Sequence, residues 1–233
     1  MDLPRPLIPA RLIRRYKRFL ADVTLDGAGE TTVLCPNPGR MIGLDSPGDR
    51  IWLSRSDNPK RKYALTWELS EQPGGLVGIN TNLPNAIAEE AIAAGRVKEL
   101  TGYGSLTREV RYGRNSRIDI LLEGDGKAPC YVEIKNVHLV RRGALAEFPD
   151  AVTKRGLKHL EELGDVVEAG GRAVMLYVVQ REDCRQFAPA ADIDPAYAEG
   201  LTRAKARGVE AYAYSCKLST KEILLDEALE VLI

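Results

Sequence analysis

Asp119, Glu133 and Lys135 stand inside two apolar runs of the segment SRIDILLEGDGKAPCYVEIK (116–135). The Gly-rich stretch between the runs predicts a turn, so the segment reads as a β-hairpin. A charge in a strand that belongs to a core is costly unless it is paired or binds a cation. Side chains alternate along a strand, so Glu133 and Lys135 share a face. A turn centred on Gly126 sets Asp119 opposite Glu133, with Cβ atoms about 4.5–5.5 Å apart. Two carboxylates at that spacing repel unless a divalent cation lies between them. Oxygen ligands without a nearby His or Cys favour Mg²⁺ or Mn²⁺ over zinc. Lys135 then points at a phosphate or an attacking water, where its charge stabilises the transition state or orients the nucleophile. The expected chemistry is metal-dependent work on phosphates. The plainer reading of the same residues is a buried ion pair between Lys135 and one acid.

Two helices must position this hairpin. Asn82-Leu83-Pro84 opens the first, and Gly95 closes it. At about 100° per residue, Leu83, Ile87, Ala94 and Val97 form one stripe with Glu90 in its middle. Glu90 is therefore the expected third metal ligand and fourth member of the catalytic group. Glu109 competes for that role, because a hairpin centred near Arg114 sets it beside Asp119. Glu109 also lies among Arg108, Arg111 and Arg117, which can simply pair it. The second helix is predicted over 150–163, with Val152, Gly156, His159 and Leu163 on one face and Arg155 one turn before His159. Arg155 and His159 are placed to meet a phosphate, and Thr153 to add a hydroxyl. Taken alone, His159 reads equally as a satisfied core histidine. His138 reads as rim or structure.

The rest of the chain supplies the setting. Its 233 residues are 44% hydrophobic and 28% charged, enough for one large domain or two small ones. Lys+Arg and Asp+Glu balance at 33 each, so net charge says nothing of a nucleic-acid partner. The distribution says more. Residues 1–20 carry Arg5, Arg11, Arg14, Arg15, Lys17 and Arg18 against Asp2 alone, and 50–63 add five basic residues against Asp57. The tail after Lys221 is acidic. One basic surface facing a polyanion fits this asymmetry, with Arg14, Arg18, Arg40, Arg55, Arg61 and Lys62 as the residues expected to meet it. The four cysteines form no CxxC or zinc spacing, and no apolar run approaches the roughly 20 residues of a membrane span. A reducing, cytoplasmic compartment is expected, with no membrane partner.

Short apolar segments at 18–24, 31–35, 50–54 and 64–69, punctuated by Gly/Pro turns, predict a small β-domain over 1–78, with an OB-like barrel as one candidate. Tyr16, Phe19, Trp52, Tyr63 and Trp67 lie among its basic residues, as platforms for bases or as barrel core. From 79 to 233 the pattern changes to α-β-β-β-α-β and then α-β, which predicts an α/β domain on a mixed sheet.

These features resemble the PD-(D/E)xK nuclease superfamily, whose core is an α-β-β-β-α-β unit. Asp119 matches its Asp, Glu133 and Lys135 its E-x-K, and Glu90 the acid of its first helix. Ile118 stands where the motif has Pro. More narrowly, CPNPGRMIGL, GINTNLPNAIAEEAI, YVEIKNVHL and FPDAVTKRGLKHLEEL resemble the sugar fermentation stimulation protein A (SfsA) family along almost the whole chain. That resemblance implies an N-terminal OB-like domain, a nuclease-like domain after it, DNA binding, and a link to regulation of sugar, particularly maltose, metabolism. Two functions stay open: a Mg²⁺- or Mn²⁺-dependent nuclease, and a non-catalytic DNA-binding regulator on a nuclease-like fold. RNA stays open as a partner, and a homodimer is compatible with the sequence.

Overall fold

The computed structural model of the chain describes residues 1–113, 115–124 and 126–233. Six strands build the N-terminal unit: β1 (Ile8–Tyr16), β2 (Leu20–Leu25), β3 (Gly29–Leu34), β4 (Arg50–Arg55), β5 (Leu65–Gln72) and β6 (Gly75–Gly78). They run in the order β3-β2-β1-β4-β5-β6, and a parallel bridge from Leu34 to Thr66 joins β3 to β5 and closes the barrel. Inward residues such as Leu12, Val23, Val33, Leu53 and Trp67 fill it. The barrel has an OB architecture, with strands β1 and β6 beyond those expected from the apolar runs. Of the aromatic residues, Trp67 is core and Phe19 is exposed.

The second unit begins with α1 (Pro84–Ala93), then β7 (Ser105–Tyr112), β8 (Ser116–Glu123), β9 (Cys130–Val137), β10 (Leu139–Arg142) and β11 (Leu145–Phe148). There follow α2 (Lys154–Glu168), β12 (Arg172–Val179), β13 (Gln186–Pro189), α3 (Pro195–Ala206), β14 (Glu210–Leu218) and β15 (Ile223–Val231). The mixed sheet runs β10-β11-β13-β15-β14-β12-β9-β8-β7. At its centre β12 pairs in parallel with both β9 and β14. A strand covered on both faces reads as a continuous apolar run, and RAVMLYVV does so. α1 covers one face over Ile120, Val132, Ile134 and Leu176. α2 and α3 cover the other over Ile118, Met175 and Tyr177, with Tyr197 of α3 packed into the same core. All four cysteines are free and buried in these cores. Among the described residues no helix is long and apolar enough to cross a membrane.

Three departures from the sequence reading concern this unit. α2 starts at Lys154 rather than 150, because the Thr153 hydroxyl caps it by accepting the Gly156 N–H at 3.0 Å. Thr153 is thereby committed to the helix, and Val152 lies outside it, exposed. The acidic tail is β15, an interior strand between β13 and β14 that carries its acids outward. Residues 1–7 lie against both units: Leu3 and Leu7 join the α1-side core, which also takes in Leu69 of the barrel, Pro4 lines a barrel cavity, and the Leu3 N–H donates to Lys221 O.

One side chain clamps the two units together. Asp150, just before α2, accepts the Met41 N–H at 3.0 Å from the loop that follows β3. Gly39 is required there, since a Cβ would stand 2.5 Å from Asp150 Oδ2. His138 Nε2 lies 3.5 Å from the same oxygen. Burial alone pushes the Asp150 carboxyl up. The His138 ring and the Met41 and Arg40 N–H groups outweigh that and hold it below its ordinary value of 3.8. A depressed carboxyl contributes stability that is present above its unfolded pKa and is lost only as pH falls through the folded one. The clamp is therefore intact throughout the neutral range. Asp150→Ala leaves the Met41 N–H without its partner and should cost about 1–3 kcal/mol. Trypsin should then cut after Arg40 faster than in the parent chain; unchanged cleavage would show that Asp150 does not hold the loop.

Candidate active site

The hairpin of β8 and β9 carries the site. Its ladder pairs Ile120 with Val132, Leu121 with Tyr131 and Leu122 with Cys130. Continued by one residue, that register sets Asp119 opposite Glu133. The ladder stops there because Asp119 turns its carboxylate into the gap: Oδ2 accepts the Ile134 N–H at 2.7 Å. Oδ1 accepts from the Asn85 amide at 2.8 Å, so α1 holds the other side of the group.

Glu133 is 3% exposed. Its Oε1 accepts from Lys135 Nζ at 2.6 Å and from His159 Nδ1. The proton on His159 follows from its other contact. Arg155 Nε donates to His159 Nε2 at 3.2 Å, and a guanidinium can only donate. Nε2 is thus the acceptor, and Nδ1 carries the hydrogen given to Glu133. Burial pushes Glu133 up, and the His159 hydrogen bond with the Lys135 charge more than reverses it, so the carboxyl lies below its ordinary value. Asp119 moves the other way: burial and then the Glu133 charge raise it, against the Ile134 and Asn85 hydrogen bonds. The two acids are therefore electrostatically unlike, one held charged and one held back. Among the described residues, Glu133 Oε2 is buried with no hydrogen-bond partner.

Asp119, Glu133, Lys135, Arg155 and His159 thus come together, with the Glu133–Lys135 ion pair of the plainer reading present and His159 buried on Glu133 as a satisfied core histidine rather than turned to a phosphate. Glu90 does not join them. Its side chain is 51% exposed and binds the Met1 amino group at 2.8 Å. The apolar stripe expected to contain it is instead made by Ile87, Ala88, Ala91 and Ile92. The α1 face turned to the site bears Asn85 and, one turn on, Glu89, which pairs with Arg108 at 3.1 Å. Glu109 faces Asp119 in the β7–β8 register, between the rungs Arg108–Ile120 and Val110–Ile118. It is exposed and left-handed, with φ 56°, an unusual state for a non-glycine residue. Arg114, the expected centre of that hairpin, lies outside the described residues.

Two contributors were missed from sequence. Asn85 lies four residues before Glu89, a spacing that would have paired them on one helix face. Tyr112 has a buried hydroxyl with no partner among the described residues, and burial, with the charges of Glu133, Glu162 and Asp119, raises it strongly. Beside Tyr112 opens a cavity of about 500 Å³, whose lining includes Arg111 and Arg117. In the barrel, Arg18, Arg40, Arg55, Arg61 and Lys62 are exposed. Arg14 is exposed as well but paired with Asp22 at 2.9 Å.

With this geometry in view, comparison with known proteins is informative. The profile described as "Sugar fermentation stimulation protein RE domain" matches residues 82–222, and that of the "SfsA N-terminal OB domain" matches 13–79. The chain belongs to the sugar fermentation stimulation protein (SfsA) family. The SfsA homologue of Agrobacterium fabrum is 58% identical over 218 residues, 94% of this chain and 91% of the relative. That of Rhodospirillum centenum is 58% identical over 231 residues, 99% of each. The solved structure of Pyrococcus furiosus SfsA in complex with Ca²⁺ superposes with a TM-score of 0.89 at 30% identity, covering 100% of this chain and 98% of that one.

The raised Asp119 carboxyl makes a stability prediction. Ionised at neutral pH, it works against the fold. Asp119→Asn keeps an acceptor for Ile134, lets the Asn85 amide flip, and removes repulsion with Glu133. It should stabilise the metal-free protein by about 0.5–2 kcal/mol in urea unfolding. Asp119→Ala, which leaves the Ile134 N–H unpaired, should destabilise by about 1–3 kcal/mol. If Asn destabilises as much as Ala, repulsion from Glu133 is not the controlling effect.

Proposed function

We propose that this SfsA-family chain binds DNA and hydrolyses its phosphodiester bonds with a divalent cation, Mg²⁺ or Mn²⁺. The observation that carries this reading is the pair of unlike acids, Asp119 and Glu133, with a buried Glu133 oxygen that has no hydrogen-bond partner among the described residues. Among the described residues no group of three or more His, Cys, Asp or Glu is gathered for a metal. Mg²⁺ needs no more than one or two carboxylates when waters and substrate phosphate complete its shell. Asp119 and Glu133 fit it, and the Pyrococcus relative's complex with Ca²⁺ supports an oxygen-ligand site. Such an ion supplies Lewis-acid polarisation of the phosphate.

The chain's own residues do the rest. His159 and Lys135 hold Glu133 ionised. Asn85 and the Ile134 N–H orient Asp119. Lys135 bonds Glu133 and its charge acts on Asp119, so it serves to orient the attacking water or to offset charge on the phosphate. Arg155 faces the backbone from α2 with His159 buried behind it on Glu133, and Arg111 and Arg117 line the adjoining cavity, where they meet flanking phosphates. Purified protein should cleave DNA with Mg²⁺ or Mn²⁺, and Asp119→Ala and Lys135→Ala should each slow this by about 10²–10³-fold. Absence of cleavage on single- and double-stranded DNA and RNA, or its survival in both variants, would sink the hydrolytic reading. Calorimetric titration with Mn²⁺ should show binding that weakens in Glu133→Gln.

A second reading, a DNA-binding regulator of sugar-metabolism genes that does not cut, is favoured by one interaction: Lys135 is already ion-paired to Glu133 at 2.6 Å. Both readings require an electrostatic surface. Arg55, Arg61 and Lys62 neutralised together should lower the salt dependence of duplex binding by about 0.9 for each phosphate that is no longer neutralised. Arg14→Gln should change it less, because Asp22 already pairs Arg14. An unchanged slope in the triple variant would move the binding surface off this face of the barrel.

A further inference from the structure

On the barrel, away from the acids of the hairpin, β4 and β5 carry a buried carboxylate without a cation. Glu68 is 4% exposed. Its Oε1 accepts from the Ser54 hydroxyl at 2.6 Å and its Oε2 from the Asn80 amide at 2.7 Å. Among the described residues it has no Lys, Arg or His partner. A buried charge in this state is poorly compensated. Each carboxylate oxygen has a second lone pair, and neither is used. Next to Glu68 on the same face of β5 lies Thr66, 6% exposed, whose hydroxyl is buried with no partner. A buried hydroxyl without a partner, beside a buried carboxylate with acceptor capacity to spare, is costly unless something supplies its partner.

These groups line a cavity of about 270 Å³. That is at or below the small end of ligand clefts, about 300–1,000 Å³, and suits one planar ring system with little else. Pro4, Leu34 and Pro36 give it apolar walls, against which a flat ring can lie. Arg55 and Arg61 line the same cavity and are exposed, and neither has a carboxylate partner among the described residues. The ligand therefore presents adjacent N–H donors and one acceptor at the inner end, and negative charge at the outer end. A cationic ligand would match Glu68 but not the two arginines.

We propose that this cavity binds a guanine base whose phosphate lies on Arg55 and Arg61. Guanine alone among the common bases sets two neighbouring donors, N1–H and the N2 amino group, beside an acceptor, O6. The donors meet the two free lone pairs of Glu68, and O6 accepts from the Thr66 hydroxyl. Adenine and cytosine offer a single donor group at that edge, and thymine a single N–H between two acceptors. The same chemistry is presented by an unstacked guanine in a bound strand and by a free guanine nucleotide. The strand source rests on the nucleic-acid reading above. It is favoured by the chain that leaves the cavity: Asn80 and Asn82 line it, and three residues on, Asn85 holds Asp119.

The test uses the full chain without divalent metal, so that nothing is cut. Labelled oligothymidylates carrying one central G, inosine, A or T are titrated by fluorescence anisotropy, and GMP, IMP and AMP by calorimetry. Guanine should bind about tenfold or more tighter than inosine, which lacks the N2 amino group, and than adenine. Glu68→Gln should abolish the preference, and Thr66→Val should reduce it. A purely structural Glu68 would not distinguish G from inosine in the parent chain, so that comparison holds even where a variant folds poorly. A preference in oligonucleotides assigns the strand source, and one in mononucleotides alone assigns the free nucleotide. Equal affinity in both series overturns the proposal. If no oligonucleotide binds at all, the nucleic-acid reading fails, and GMP decides this cavity: binding abolished in Glu68→Gln upholds it, and no binding ends it.

Discussion

Glu133 is the point on which the second unit turns. A carboxylate with so little exposure stays ionised only if donors and cations surround it, and their positions are then no longer free. Lys135 comes from the same face of β9. His159 must come from α2, so the Glu133 bond sets how that helix lies across the sheet. Arg155 can reach His159 only because they are one turn apart. A charge in a strand has in this way determined a helix orientation and a tautomer.

The same strand connects the two units. Beyond Lys135, β9 leads through Asn136 to His138. Asn136 accepts from Gln180 at 2.7 Å, and His138 stands against Asp150, which binds the barrel loop. Gly78 at the end of β6 donates to Gln180 O at 3.0 Å. The barrel is thus fastened to the strand that bears the site and to the residue that precedes α2. Arg40, on the clamped loop, is held where both meet.

Much of this was readable in the residues because it is local. A hairpin with a short Gly-rich turn has one register that keeps its apolar side chains together, and that register sets Asp119 against Glu133. His159 and Arg155 were legible from helical spacing alone. Glu90 was misplaced for a reason that spacing cannot reveal: a short helix with Glu89 and Glu90 adjacent offers two overlapping stripes, and only the sheet decides which one is buried. β10, β11 and β13 are four residues each, too short for a periodic pattern; β10 and β11 form a tight hairpin, and only the parallel pairing of β13 with β11 and β15 attaches it to the sheet. Glu68 is one charged residue in an otherwise apolar strand, and its meaning depends on Ser54, brought beside it by the β4–β5 pairing, and on Asn80, just after β6.

The cysteines carry a consequence of a different kind. Cys35 lies in the barrel core, Cys130 and Cys216 in the core under α1, and Cys184 in the core under α2 and α3. Burial pushes Cys130 up to about 11 and Cys184 to about 12, and raises Cys35 and Cys216 as well. A thiol reagent attacks the thiolate and needs access to it, so the closed molecule offers it nothing. Labelling must wait for each core to open, and its rate at each sulfur is a clock for that opening. The chain thus carries a built-in reporter in every one of its three cores, able to tell whether the barrel and the two faces of the sheet come apart together or one at a time.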